Sequence, residues 1–194
     1  MALDGPLGVQ DTIDITGFSE CGMTSRWFRT QFGPFLEKFE TIPRGLDIQY
    51  HPLSIGSKVV NGSNIALCEN GWLECQLNKL QCCSKRYLKH LENPAKILKI
   101  ITCIQGQRDV ERALQCLPTE SKDLIQKCAE TDEGENLLLA EPYPHNDSIA
   151  LPWIKINGIR SWEATQNFQK VVCKLKTLQN STQCVETPKK RLRG

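Results

Sequence analysis

Cys21-Gly22-Met23-Thr24 is the stretch of this chain whose residue types and spacing come nearest to redox chemistry. A cysteine at a strand-to-helix corner sits against unpaired backbone N–H groups and the positive end of the helix dipole, both of which favour thiolate. Cys21 therefore reads as a reactive sulfur. In a dithiol oxidoreductase the residue three positions on is a second cysteine, which attacks the mixed disulfide formed by the first. Here that residue is Thr24, and a hydroxyl is far too weakly acidic to take the part. Glu20, beside Cys21, reads as a solvated loop carboxylate that opposes the helix effect if it comes close.

The elements that must hold this corner follow from hydrophobic periodicity. Thr12–Phe18 alternates apolar and polar positions and predicts a first strand. Trp27, Phe28, Phe32, Phe35, Leu36 and Phe39 then fall at helical spacing over Ser25–Glu40, a stripe read as core packing against a sheet, with Pro34 expected to kink or break the helix. A second strand is expected over Leu46–Ile55, carried by Leu46, Ile48 and Tyr50, and Gly56–Asn64 reads as a polar loop. From Cys68 to about Leu139 the pattern is mainly helical, in short amphipathic stretches punctuated by Pro94 and Pro118. Leu151–Gly158 is a short strand ending in an Asn157-Gly158 turn signal, and a last helix opens at Ser161 or Trp162 with Phe168, Val171, Val172 and Leu175 on one face.

Strand, helix, strand, helical block, strand, helix is an α/β order. With a redox-type cysteine at the first corner it predicts a thioredoxin-like fold, one domain over residues 11–180, with a disulfide-rich helical insertion at about 66–140 and a polar, basic tail at 181–194. Such folds set a cis-proline beside the reactive cysteine, and Pro152 is the candidate, although most X–Pro bonds are trans. Gly22, Met23, Leu151 and Trp153 are the candidate residues for contacting a bound polypeptide.

Ten cysteines in 194 residues suit an oxidising compartment. Three glycosylation sequons, at Asn61, Asn146 and Asn180, point the same way, so the expectation is a secreted or lysosomal protein. No run approaches the ~20 apolar residues that span a bilayer. Met1–Gln10 lacks the basic and apolar regions of a signal peptide, so a mature chain is expected from which a leader has been removed. His51, His90 and His145 are scattered, and the cysteines do not form matched zinc-finger pairs, so neither a metal nor a cofactor is expected. Net charge is +2, but without Lys189, Lys190, Arg191 and Arg193 only 20 basic residues face 22 acidic ones. The body is slightly acidic, which gives no footprint for nucleic acid. The tail alone could touch acidic glycans or membranes, and a solvated tail is the plainer reading.

Cys68-Glu69-Asn70-Gly71-Trp72-Leu73-Glu74-Cys75-Gln76-Leu77-Asn78-Lys79-Leu80-Gln81-Cys82-Cys83 resembles the diagnostic segment C-Q-H-G-x-x-x-C-x-x-N-x-x-x-x-C of the gamma-interferon-inducible lysosomal thiol reductase (GILT) family. Cys68, Gly71, Cys75, Asn78 and Cys83 match; Glu69 and Asn70 replace the Gln and His. The resemblance extends over the Cys21 corner, Cys103, Cys116, Cys128, the Leu151–Gly158 segment, Cys173 and Cys184. It implies disulfide reduction in an acidic compartment by a two-thiol motif. Cys21 takes the nucleophile's place, while the resolving position falls on Thr24 and does not carry over.

Family correspondence makes Cys68, Cys75, Cys83, Cys103, Cys116, Cys128, Cys173 and Cys184 the structural cysteines, enough for four disulfides. Cys173 and Cys184 are spaced to tie a helix end to its tail. Cys21 and Cys82 remain, as two thiols, as a bridge to each other, or as links to another molecule. The functional expectation is a secreted protein that has lost dithiol reductase activity and acts mainly by binding a protein partner. The alternative is a monothiol oxidoreductase or isomerase that uses Cys21 with an external thiol.

Overall fold

A computed structural model describes residues 11–89, 93–144 and 150–184. His90, His145, the Asn146 sequon and the basic tail lie outside the described residues. Strand β1 (Asp11–Gly17) alternates in burial as its sequence does and places Ile13 and Ile15 fully inside. It is one of the two inner strands of a sheet ordered β2-β1-β5-β6, with β2 at Leu46–Pro52, β5 at Trp153–Ile156 and β6 at Ile159–Arg160. β1 runs parallel to β2, pairing Ile13 with Ile48 and Ile15 with Tyr50, and antiparallel to β5, pairing Ile15 with Ile154. Asn157, at φ 50, and Gly158, at φ 79, make the tight turn between β5 and β6.

After β1 the chain enters α1 (Gly22–Trp27), widens into a π-helical stretch over Phe28–Phe32, and closes as α2 (Gly33–Leu36). The expected break at Pro34 does not occur. Proline lacks an amide hydrogen and its ring crowds the carbonyl four residues back, and the wide turn just before it accommodates that crowding without ending the helix. The aromatic stripe is core: Trp27, Phe28, Phe32 and Phe35 pack with Tyr50 and Phe168 at centroid separations of 4.9–5.6 Å when Phe39 is included. Most of these pairs are edge-to-face, the arrangement that the ring quadrupole favours.

The stretch read as a polar loop at Gly56–Asn64 is instead part of a hairpin, β3 (Gly56–Val60) and β4 (Ser63–Leu67), turned at Asn61-Gly62 with both residues at positive φ. β4 packs on the protein through the buried Ala66, whereas β3 is exposed along its whole length and carries no alternation to read. Asn61 sits exposed at the tip of the hairpin.

The helical insertion comprises α3 (Trp72–Tyr87), α4 (Pro94–Ile104), α5 (Val110–Leu114), α6 (Lys122–Ala129) and α7 (Asp132–Leu139). Pro94 opens α4 rather than interrupting a helix, and the Asn93 side chain caps it by accepting the Ala95 amide at 3.1 Å. Leu77, Leu80, Leu88, Ile104, Ala113 and Ile125 form a second core between these helices. Disulfides join Cys68 to Cys75, Cys83 to Cys128, Cys103 to Cys116, and Cys173 to Cys184. Cys83–Cys128 closes the longest loop, a separation of 45 residues, so it removes the most freedom from the unfolded chain. The last helix differs from expectation: it divides at Asn167 into α8 (Glu163–Gln166) and α9 (Phe168–Val172). Phe168 and Val172 still reach the core.

Candidate redox site at the Cys21 corner

β1 ends at Gly17, and the four residues Phe18–Cys21 turn the chain into α1. Cys21 is the N-cap, in an extended conformation at φ −64 and ψ 120. Its amide donates to the Phe18 carbonyl at 3.3 Å, and its carbonyl accepts the Ser25 amide at 2.9 Å. The half-buried sulfur lines a pocket of about 570 Å³ with Phe18, Gly22, Met23, Arg26, Asn70 and Leu151. Glu69 completes the lining, and Met23 is 64% exposed at the mouth. Of the four expected contact residues, Gly22, Met23 and Leu151 are in this pocket. Trp153 is turned inward and lies 9% exposed beneath the loop.

The corner is held from α3 and α4 by a buried polar network. Glu74 is fully buried, and its carboxylate accepts the Glu20 amide at 3.3 Å, the Asn70 amide at 3.1 Å and the Asn70 side-chain amide at 2.6 Å. Asn78, one turn on, accepts the Ser19 amide at 3.2 Å and donates to the Leu53 carbonyl at 2.7 Å. Gln105, at the end of α4, donates to the carbonyls of Phe18 and Ser19 at 3.0 and 2.9 Å. Its oxygen accepts from the Tyr50 hydroxyl and the Gln81 amide at 3.2 and 3.1 Å. Buried polar groups are costly unless paired, and here Glu74, Asn78 and Gln105 each fix backbone within three residues of Cys21 while their remaining bonds anchor them to the rest of the network. Glu20 itself is pushed up from the ordinary carboxylate value, by partial burial and then by the Glu74 charge.

Gly71, at φ 92, lets α3 start directly after this anchor, and the Cys68–Cys75 disulfide straddles that start. The cysteine spacing marked this segment in the sequence. Gln81 and Gln105 carried no such signal, because single polar residues on apolar helix patterns read as exposed; Tyr50 was legible as a buried strand residue but not as a partner of Gln105.

On the opposite side of the pocket the Leu151–Pro152 peptide bond is cis. Arg160 holds that loop by donating to the carbonyls of Ala150, Pro152 and Ile154 at 3.2, 3.3 and 3.2 Å. Its guanidinium lies between the Trp153 and Trp162 rings, 4.4 and 4.3 Å from their centroids.

Thr24, three residues after Cys21 in α1, is fully buried. Its hydroxyl has no hydrogen-bond partner, and its methyl packs so closely on Gly17 that a Cβ there would come within 2.6 Å. Cys82, the other thiol outside the disulfides, lies buried on α3 and lines a different cavity. The Cys21–Cys82 bridge left open by the sequence is not formed. Among the described residues no group of three or more His, Cys, Asp and Glu side chains is arranged to hold a metal ion, and no helix is long and apolar enough to cross a membrane.

A cysteine capping a helix after a central strand, opposite a cis-proline loop, defines the thioredoxin-like class of thiol–disulfide oxidoreductase folds. The family model "Gamma interferon inducible lysosomal thiol reductase (GILT)" matches residues 12–131, and the chain belongs to that family. It is 30% identical over 179 residues to a GILT-like protein of Caenorhabditis elegans, covering 84% of this chain and 79% of the relative. It is also 30% identical over 126 residues to the gamma-interferon-inducible lysosomal thiol reductase of Mus musculus, covering 60% of this chain and 48% of that protein. Among solved structures it resembles DsbA of Chlamydia trachomatis, with a TM-score of 0.55 and 11% identity over 87% of this chain and 86% of that one. Reduced DsbA of Mycobacterium tuberculosis gives 0.53 and 14% over 90% and 86%. At such identity these likenesses concern the fold alone.

Proposed function

We propose that this protein is a GILT-family binding protein on a thioredoxin-like scaffold, without dithiol disulfide-reductase turnover. The observation that carries the reading is Thr24, buried where the second thiol would stand. A resolving cysteine acts at an effective concentration far above that of an external thiol. Cys82, in another cavity, is not placed to substitute for it. The intact corner network, the cis-Pro152 loop and the exposed Met23 support capture of an extended polypeptide at the Cys21 pocket. The disulfide framework supports secretory or lysosomal residence, with glycans at the exposed Asn61 and Asn180. Asn146 and the basic tail add a third glycan and an acidic-surface contact from sequence alone.

The second reading, favoured by the open Cys21 pocket, is monothiol chemistry. Cys21 thiolate attacks one sulfur of a substrate disulfide, the other sulfur leaves as a thiolate, and an external thiol later displaces the substrate from Cys21. Mixing the protein with a peptide disulfide and following the adduct by mass spectrometry separates the readings. The binding-protein reading predicts a Cys21 adduct that persists in the absence of added thiol and is discharged in the Thr24→Cys variant. Rapid catalytic discharge by millimolar glutathione would favour monothiol turnover.

A further inference from the structure

A second cavity, about 590 Å³, opens on the far edge of the sheet, between β2, the end of α3 and the start of α4. It shares no lining residue with the Cys21 pocket. One side is apolar: Ile48 of β2, Ile97, Leu98 and Ile101 of α4, and Leu137 of α7. Those side chains line a space of the size that ordinarily takes a small ligand. Cys82 lies at its buried end.

The other side is cationic. Lys85, Arg86 and Lys89 lie within little more than one turn at the end of α3. Lys85 is committed inside the protein: its ammonium donates to Glu141 at 2.6 Å and to the Tyr50 carbonyl at 2.7 Å. Glu141 is in turn engaged by His51 at 2.8 Å, so its charge is spent. Asp47, the remaining acid of the lining, accepts from the Gln49 side chain at 2.7 Å. Arg86 and Lys89 are exposed and have no carboxylate within ion-pair distance among the described residues. The cavity thus offers an apolar trough with two exposed cations at its rim that have no ion-pair partner among the described residues.

We infer that this cavity binds a single-chain amphiphile with an anionic head, the acyl chain lying along Ile48, Ile97, Leu98 and Ile101 and the head group meeting Arg86 and Lys89. A neutral amphiphile would leave both cations unpaired, and a compact polar anion would leave the apolar side wet. A guanidinium pairs with carboxylate or phosphate through two parallel hydrogen bonds, so both heads fit the rim. Binding here is independent of the chemistry at Cys21.

Titration calorimetry of the whole protein with decanoate below its micelle concentration tests the inference, with decyl phosphate and decanol as parallel probes. Saturable one-to-one binding of decanoate or decyl phosphate is expected, the tighter of the two naming the head group, with decanol at least tenfold weaker. Arg86→Glu combined with Lys89→Glu alters only exposed side chains and should weaken anion binding at least tenfold. Leu137→Trp, checked for a native circular dichroism spectrum, should abolish it by filling the trough. Equal affinity for decanol, undiminished affinity in the double charge variant, or an acidic peptide binding where neither anion does would overturn the inference.

Discussion

The Glu74 carboxylate accepts the backbone amide of Glu20 at 3.3 Å, tying the first turn of α3 to the residue immediately before Cys21. The diagnostic cysteine-rich segment is therefore more than a disulfide staple, since its helix holds the corner that presents the sulfur. Glu74→Ala removes the acceptor of three hydrogen bonds at a fully buried site. Leaving buried donors unpaired beside a lost charged acceptor costs about 2–3 kcal/mol. Urea unfolding should show that loss, and Cys21 alkylation should become faster or multiphasic as the corner loosens. Unchanged values in both would remove Glu74 from this role.

Arg160 ties the cis-Pro152 loop to the sheet. Arg160→Lys keeps the charge but loses the planar fork that reaches three carbonyls and lies over both indole rings. A destabilisation of about 1–3 kcal/mol is expected, with a change in tryptophan fluorescence as Trp153 and Trp162 lose the cation between them. A lysine variant with wild-type stability and emission would contradict this.

Stability should depend on acid through Glu141. Burial alone would raise its pKa, but the His51 hydrogen bond and the Lys85 charge outweigh burial and hold it below 4.5. A carboxylate with a depressed folded pKa stabilises fully above its unfolded value and loses that contribution as pH falls through the folded one. Melting temperature should therefore decline as pH falls below the ordinary glutamate range, and Glu141→Gln should flatten that acid limb while lowering stability at neutral pH. An equally steep acid limb in the glutamine variant would assign it to other groups.

The sheet was legible in the sequence because Ile13, Ile15, Ile48 and Tyr50 alternate strictly, and a one-residue slip would have exposed all of them. The cysteine framework was legible through its long gapped spacing. The β3–β4 hairpin was not, because β3 is exposed along its whole length and β4 buries only Ala66, so neither strand shows a readable alternation; the Asn61-Gly62 turn pair was the available signal. The site was legible only at its ends. Cys21, Thr24 and Pro152 stand in local motifs, whereas Gln105 and Arg160 act on backbone distant in sequence, a relation that periodicity does not encode. The continuation of the helix through Pro34 depended on a π-helical turn that residue types do not announce.

Thr24, on the function proposed here, removes dithiol turnover from an otherwise intact scaffold. Cysteine fits the site: it lacks the methyl that packs on Gly17 and removes a buried hydroxyl that has no partner. Insulin disulfide reduction should be measured at about pH 5 and 7 for the wild type, Thr24→Cys, and Thr24→Cys with Cys21→Ser. Restoring an intramolecular thiol should raise turnover by at least about 100-fold, and the added Cys21→Ser change should abolish it. Wild-type turnover within about threefold of a correctly folded Thr24→Cys variant, and dependent on Cys21, would contradict the account.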